Sequence, residues 1–151
     1  MAATHFKILF TFLLAGIFFS CKKKSESASA PEPTIEIISV TPTTVTEFKD
    51  SILIKIKYKD SNGDLGDVSP DEHSLEIKDS RLPTADMYHV KPLAPISDKD
   101  ISIEGELTVK LNSLFLIGSG TSENTTFVIK LKDRSGHWSN EITSPQITIM
   151  K

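Results

Sequence analysis

The segment "SILIKIKYK", Ser51–Lys59, constrains the fold more than any other. Ile52, Ile54, Ile56 and Tyr58 fall on one side of a two-residue period, and Lys55, Lys57 and Lys59 fall on the other. Successive side chains of an extended strand point to opposite faces, so this pattern predicts a strand with one buried and one wet face. The same phase recurs in "ISIEGELTVKL", through Ile101, Ile103, Leu107, Val109 and Leu111. It recurs again in "TFVIKLK", through Phe127, Ile129 and Leu131. Shorter candidates are Thr34–Val40, Ser74–Lys78, Met87–Lys91 and Gln146–Met150. Clusters of Gly, Pro, Asn and Asp separate them. About seven short strands, with no helical pattern between them, predict an all-β, antiparallel two-sheet sandwich of immunoglobulin-like type over residues 34–151. Frequent Ile, Thr and Val agree with that reading. Paired cysteines are missing and Trp138 falls late in the chain, which argues against a true antibody-type domain.

The segment before the domain has a different chemistry. Ile8–Phe19, "ILFTFLLAGIFF", is a twelve-residue apolar run interrupted only by Thr11. A membrane-spanning helix needs roughly 20, so the run fits the apolar region of a signal peptide instead. It ends at "FFSC", and Cys21 is the only cysteine of the chain. The arrangement resembles the lipobox of bacterial lipoproteins, in which cleavage exposes a cysteine that is then lipid-modified. Ser20 supplies the small residue before it, and Phe18 stands where leucine is usual. A thiolate can be alkylated where a serine hydroxyl is too poor a nucleophile. Palmitate-like chains would then hold the protein to the membrane, each buried methylene adding about 0.8 kcal/mol. A lone cysteine also has no partner for an intramolecular disulfide. The expected division is therefore a signal peptide over 1–20, a lipidated cysteine and flexible tether over 21–33, and the sandwich over 34–151.

The tether, "KKKSESASAPEP", has no large apolar residue and so cannot offset its own ordering entropy. Fully extended it reaches on the order of 40 Å. Its three lysines could approach anionic headgroups, or the segment could be a plain soluble spacer. Net charge is −3. That gives no electrostatic case for nucleic-acid binding, which needs a clustered basic surface. Lys22 stands directly after the cysteine, where aspartate acts as an inner-membrane retention signal in enteric bacteria. The expected location is the cell envelope, at the outer membrane.

Two loops carry the chemically versatile residues. "KDSNGDLGD", Lys59–Asp67, and "KDRSGHWSN", Lys132–Asn140, follow strands that would be the second and sixth of a seven-strand sandwich, which places both at one pole. Asp60, Asn62 and Asp64 alternate as in the opening of an EF-hand loop, and Asp71 falls at the twelfth position. Leu65 occupies the sixth position, where that loop needs glycine, so an EF-hand is excluded. A simpler calcium site of Asp60, Asn62, Asp64 and Asp67, joined by Asp133, stays open. So does ordinary turn chemistry, since Asn-Gly favours tight turns and Asp side chains cap them. Trp138, beside His137, would serve either as a binding anchor for an envelope protein or glycan or as a cover for the open end of the sandwich.

Catalytic patterns are sparse. Ser119 in "GSG" lacks the frame of a nucleophile elbow, and the segment lacks the lysine of a phosphate loop. His5, His73, His89 and His137 have no metal-ligand spacing. Glu104 and Glu106 share a strand face, where wet surface is the simpler expectation.

"YKDSNGDLGD", "ISIEGEL" and "VIKLKDRSGHWSNEI" resemble a family of lipoproteins from Bacteroidetes-type bacteria, each pairing a lipid cysteine with one immunoglobulin-like or fibronectin type III-like domain. The family shows a Gly-Asp-rich loop early and an Asp-Arg-x-Gly-x-x-Ser-Asn segment late; His137 here stands where asparagine is frequent. The resemblance implies fold and location and brings no reaction with it. The function expected is thus a non-enzymatic, lipid-anchored module for binding or accessory roles. The rival is a small envelope hydrolase, or carbohydrate-active protein, working through loop carboxylates.

Overall fold

The computed structural model describes residues 32–96 and 101–151. The predicted signal peptide, Cys21 and nearly all of the tether lie outside them. The strands are β1 (Thr34–Thr41), β2 (Thr44–Thr46), β3 (Ile52–Asp60), β4 (Leu75–Asp79), β5 (Asp86–Tyr88), β6 (Ile103–Leu111), β7 (Ser122–Thr125), β8 (Phe127–Leu131), β9 (Ile142–Thr143) and β10 (Ile147–Met150). Among the described residues there is no helix. Each of the seven expected strands is present, and β2, β7 and β9 are additional.

Three sheets form, with orders β1-β3-β6, β5-β4-β8-β9 and β2-β10-β7. The first two are antiparallel throughout, while β2 runs parallel to β10. Only Thr126 separates β7 from β8, so the second and third sheets share one continuing chain path. The inward stripes of all three meet in a single apolar cluster that includes Ile54 and Ile56 from β3, Ile77 from β4, Ile129 from β8 and Ile149 from β10. This is the layering of an all-β sandwich, and it is why the alternating pattern is so regular: one face of each strand must be apolar.

Two glycines are set by close packing. Gly105 lies opposite Tyr58 across the β3–β6 ladder, and a Cβ there would sit 2.5 Å from the Tyr58 hydroxyl. This explains the gap in the apolar phase of β6. Gly66 has φ +77°, and a Cβ would fall 2.2 Å from the Lys91 carbonyl oxygen. Around it, the Asp67 amide donates to the Val90 carbonyl and the Leu93 amide to that of Leu65. The Asp60–Asp67 loop is thereby fastened to the segment after β5. Gly66→Ala introduces both left-handed strain and a backbone collision, so a loss of about 2 kcal/mol is expected by chemical denaturation.

Candidate functional site

The inward stripe of β3 runs Ile52, Ile54, Ile56, Tyr58 and then, one step further in the same phase, Asp60. That of β8 runs Phe127, Ile129, Leu131 and reaches Asp133 in the same way. Two apolar stripes on different sheets thus end in carboxylates at one pole. Asp60 is 1% exposed and Asp133 2%. Asp64, in the loop after β3, completes the group, and one carboxylate oxygen from each of the three lies within 4.8 Å of the others.

The hydrogen bonds around this group are unevenly shared. Asp60 Oδ2 accepts from the Asp64 amide at 2.9 Å. Asp64 Oδ2 accepts from the Ser135 hydroxyl at 2.7 Å and from the Ser135 amide at 3.2 Å. Asp133 Oδ1 accepts from the His137 amide at 2.7 Å, and its Oδ2 lies 3.0 Å from His137 Nδ1. By contrast, Asp60 Oδ1, Asp64 Oδ1 and Asn62 Oδ1 are buried with no partner. Burial pushes the Asp60 carboxyl above the ordinary carboxylate range; amide donors from Asp64 and Gly63 pull it back, and the negative charges of Asp64 and Asp133 add to the rise. Arg134, the nearest cation in sequence, turns away and donates to the Gly66 carbonyl at 2.8 Å.

Not every predicted residue joins the group. Asp67 caps its own turn, its Oδ1 accepting from the Ser69 amide at 2.8 Å. Trp138 bridges back to Lys132, with the ammonium groups of Lys130 and Lys132 at 5.0 and 5.6 Å from its ring. It therefore lies against its own sheet. His73 lines a cavity of about 420 Å³ that it shares with Asp67, Lys132, Asp133 and Arg134, so it borders the group without belonging to it. Glu104 and Glu106 sit on the wet face of β6 and pair with Lys57 at 2.6 Å and Lys55 at 3.3 Å. The Lys57 hydrogen bond, with its charge, holds the Glu104 carboxyl below its usual range. Ser119 is on an exposed loop.

The late segment also fixes where the domain begins. Asn140 Oδ1 accepts from the Ile35 amide and its Nδ2 donates to the Ile35 carbonyl, both at 2.9 Å. Thr34 pairs with Lys59, so β1 starts at the carboxylate pole. The opposite pole has a feature that periodicity does not reveal. Phe48, 70% exposed, stacks on Phe115 with ring centroids 6.2 Å apart. Phe48 has φ +56° and Ser113, two residues before Phe115, has φ +57°. These are the two positive-φ residues other than glycine among the described residues.

Beneath them Arg81 gathers the loops. Its guanidinium pairs with Asp79 at 2.7 Å, with Glu123 at 2.7 Å and with the Phe115 carbonyl at 3.1 Å. Glu123 in turn accepts from the amides of Ile117 and Gly118. The signal in the sequence was only an isolated Asp-x-Arg after a short strand. No protein-family model, curated protein or solved structure matches the chain.

Burial pushes the Asp79 carboxyl up, but hydrogen bonds from Arg81 and the Thr125 hydroxyl outweigh it and leave it below its ordinary value of 3.8. A lowered carboxyl stabilises the fold fully above the ordinary value, and that contribution is lost as pH falls through the native one. Stability should therefore drop on acidification below about pH 4, and Asp79→Asn should flatten the slope. Arg81→Ala, which strands Asp79 with a side chain only 10% exposed, is expected to cost about 3 kcal/mol in urea unfolding.

Proposed function

We propose that the chain is a lipid-anchored module of the bacterial cell envelope, held at the outer membrane through Cys21, whose immunoglobulin-like sandwich works by binding and not by catalysis. The observation that carries this is the single cysteine, one small residue beyond the apolar run Ile8–Phe19, with the first strand starting at Thr34. Strand order supports the immunoglobulin-like topology. The β1-β3-β6 sheet opposes β5-β4-β8-β9, and β2, a continuation of the first strand, runs parallel to the last. The resemblance of the two loops to envelope lipoproteins agrees with it.

Orientation follows from the start of β1. A tether that enters beside Lys59 attaches at the carboxylate pole and leaves the Phe48–Phe115 pole at the end away from the attachment. Exposed aromatics in strained loops are costly for folding alone and are common where a partner docks. The carboxylates of the near pole favour binding over hydrolysis for a geometric reason. A glycosidase pair stands roughly 5 to 9.5 Å apart across an open cleft. Here Asp60 and Asp133 are buried beside each other within 4.8 Å.

The test is metabolic labelling with an alkyne palmitate, together with mass spectrometry of the mature N-terminus. The expected product begins at Cys21 and carries diacylglyceryl and acyl groups. Cys21→Ala should take up no label and run as the longer precursor. A mature protein with an unmodified thiol, or one starting at another residue, would overturn the reading.

A further inference from the structure

We propose that Asp60, Asp64 and Asp133 form a calcium site that clamps the two principal sheets together at the tether-proximal pole. The site is independent of the lipid anchor and of any partner at the far pole. Three carboxylates gathered within 4.8 Å are not by themselves a metal site. The decisive observation is Asp60 Oδ1, on a side chain with 1% exposure, which has no hydrogen-bond partner although the neighbouring carboxylates are anionic acceptors like itself. Leaving a buried carboxylate oxygen unpaired is costly, and surrounding it with two more carboxylates adds repulsion. A cation between them removes both penalties at once.

Among the described residues the group has no Lys or Arg salt bridge. The single basic partner is the His137 imidazole on Asp133. The nearby guanidinium of Arg134 is spent on the Gly66 carbonyl. The remaining polar atoms are arranged as second-layer supports: Ser135 holds Asp64 Oδ2, and His137 holds Asp133 through its amide and ring. Such contacts fix the orientation of ligating carboxylates while leaving lone pairs free. Asn62 Oδ1 is likewise buried and unpartnered in the same loop.

The donor set selects the ion. It consists of oxygens alone, which suits a hard cation and not zinc, whose structural sites draw on Cys and His. Calcium binds oxygens at about 2.3–2.6 Å with flexible geometry, so ligands on opposite sides of the ion stand about 4.6–5.2 Å apart. Oxygens that lie within 4.8 Å of one another can all reach one ion of that size. Magnesium demands a near-ideal octahedral frame and gives up its waters reluctantly, whereas calcium accepts the irregular set that two sheet-fixed carboxylates and a loop carboxylate offer. Asp60 and Asp133 are almost fully buried and Asp64 is half-buried, the setting of a structural ion.

Because Asp60 ends β3 in one sheet and Asp133 follows β8 in another, the ion would join the sheets at the pole where β1 begins. The experiment is thermal unfolding of the full chain in detergent, first stripped with EGTA, then titrated with CaCl2 or MgCl2. Variants are Asp60→Asn, Asp64→Asn and, outside the group, Asp67→Asn. Calcium at about 1 mM should raise the wild-type midpoint by several degrees, well beyond magnesium at the same concentration. Asp67→Asn should respond like wild type. Asp60→Asn should lose the response and yet melt higher than wild type in EGTA, since the amide neutralises the buried charge and donates to a neighbouring carboxylate. Should Asp60→Asn fail to fold, Asp64→Asn carries the comparison. Terbium luminescence excited through Trp138, the single tryptophan, gives a direct reading of binding and should be quenched by competing calcium. No midpoint shift and no terbium signal in the wild type, an equal response to magnesium, or a full calcium response in a folded Asp60→Asn would each overturn the proposal.

Discussion

The packing of the β3 stripe against the β8 stripe governs both ends of the molecule. Ile54 and Ile56 on one sheet and Ile129 and Leu131 on the other are fully or almost fully enclosed. Each buried Ile or Leu side chain contributes about 1.5–3 kcal/mol, so these two strands hold the layers in register. Once that register is fixed, the next inward position on each strand has no choice of location. It lies at the pole, facing the opposite sheet. The chain puts Asp60 and Asp133 there, and the loops between them must accommodate two carboxylates that the core has already forced together.

The eight residues Asp133–Asn140 show how one short turn meets several demands. Gly136, with φ +91°, closes the turn. Asp133 receives the amide and ring of His137. Ser139 exchanges hydrogen bonds with Leu131, its hydroxyl accepting from the Leu131 amide and its own amide donating to the Leu131 carbonyl. Asn140 then crosses to β1 and pairs with both backbone groups of Ile35. The polar residues of this segment thus satisfy backbone groups that would otherwise be orphaned where β8 and β9 part and where β1 begins. Trp138, laid under two lysine side chains, shields the wet face of the same sheet.

Periodicity made the frame readable because burial on one face leaves a two-residue imprint wherever a strand is long. Strands β2, β7 and β9 left none, being two to four residues long with Thr, Ser, Glu and Asn prominent. They are held by neighbours, not by their own composition. The convergence of Asp60, Asp64 and Asp133 was legible through topology alone, as loops after two strands that end at one pole. Asp67 shows the limit of that argument: it has the right residue type in the right loop, but Gly66 redirects the backbone toward Val90 and turns the side chain onto Ser69. Extending each apolar phase by one step would have separated Asp60 and Asp133 from Asp67. Little local marks Arg81 beyond the Asp79-x-Arg81 pair, because its other partners Glu123 and Phe115 are more than thirty residues away.

The two poles answer the same electrostatic problem in opposite ways. At the far pole a partly buried carboxylate, Asp79, is matched inside the chain by a guanidinium, which also collects the loops carrying Phe115 and Glu123. That arrangement is self-sufficient, and its carboxyls sit below their ordinary values. At the near pole a more deeply buried carboxylate is matched by other carboxylates, and Asp60 is pushed above its ordinary value. A fold that places a guanidinium on Asp79 and turns Arg134 away from Asp60 has the means to neutralise a buried acid and does not use it there. Unlike charges within one chain give a permanent joint. Like charges give a joint that needs a cation from solution, and on the calcium-site proposal the cohesion of the carboxylate pole follows the supply of that ion.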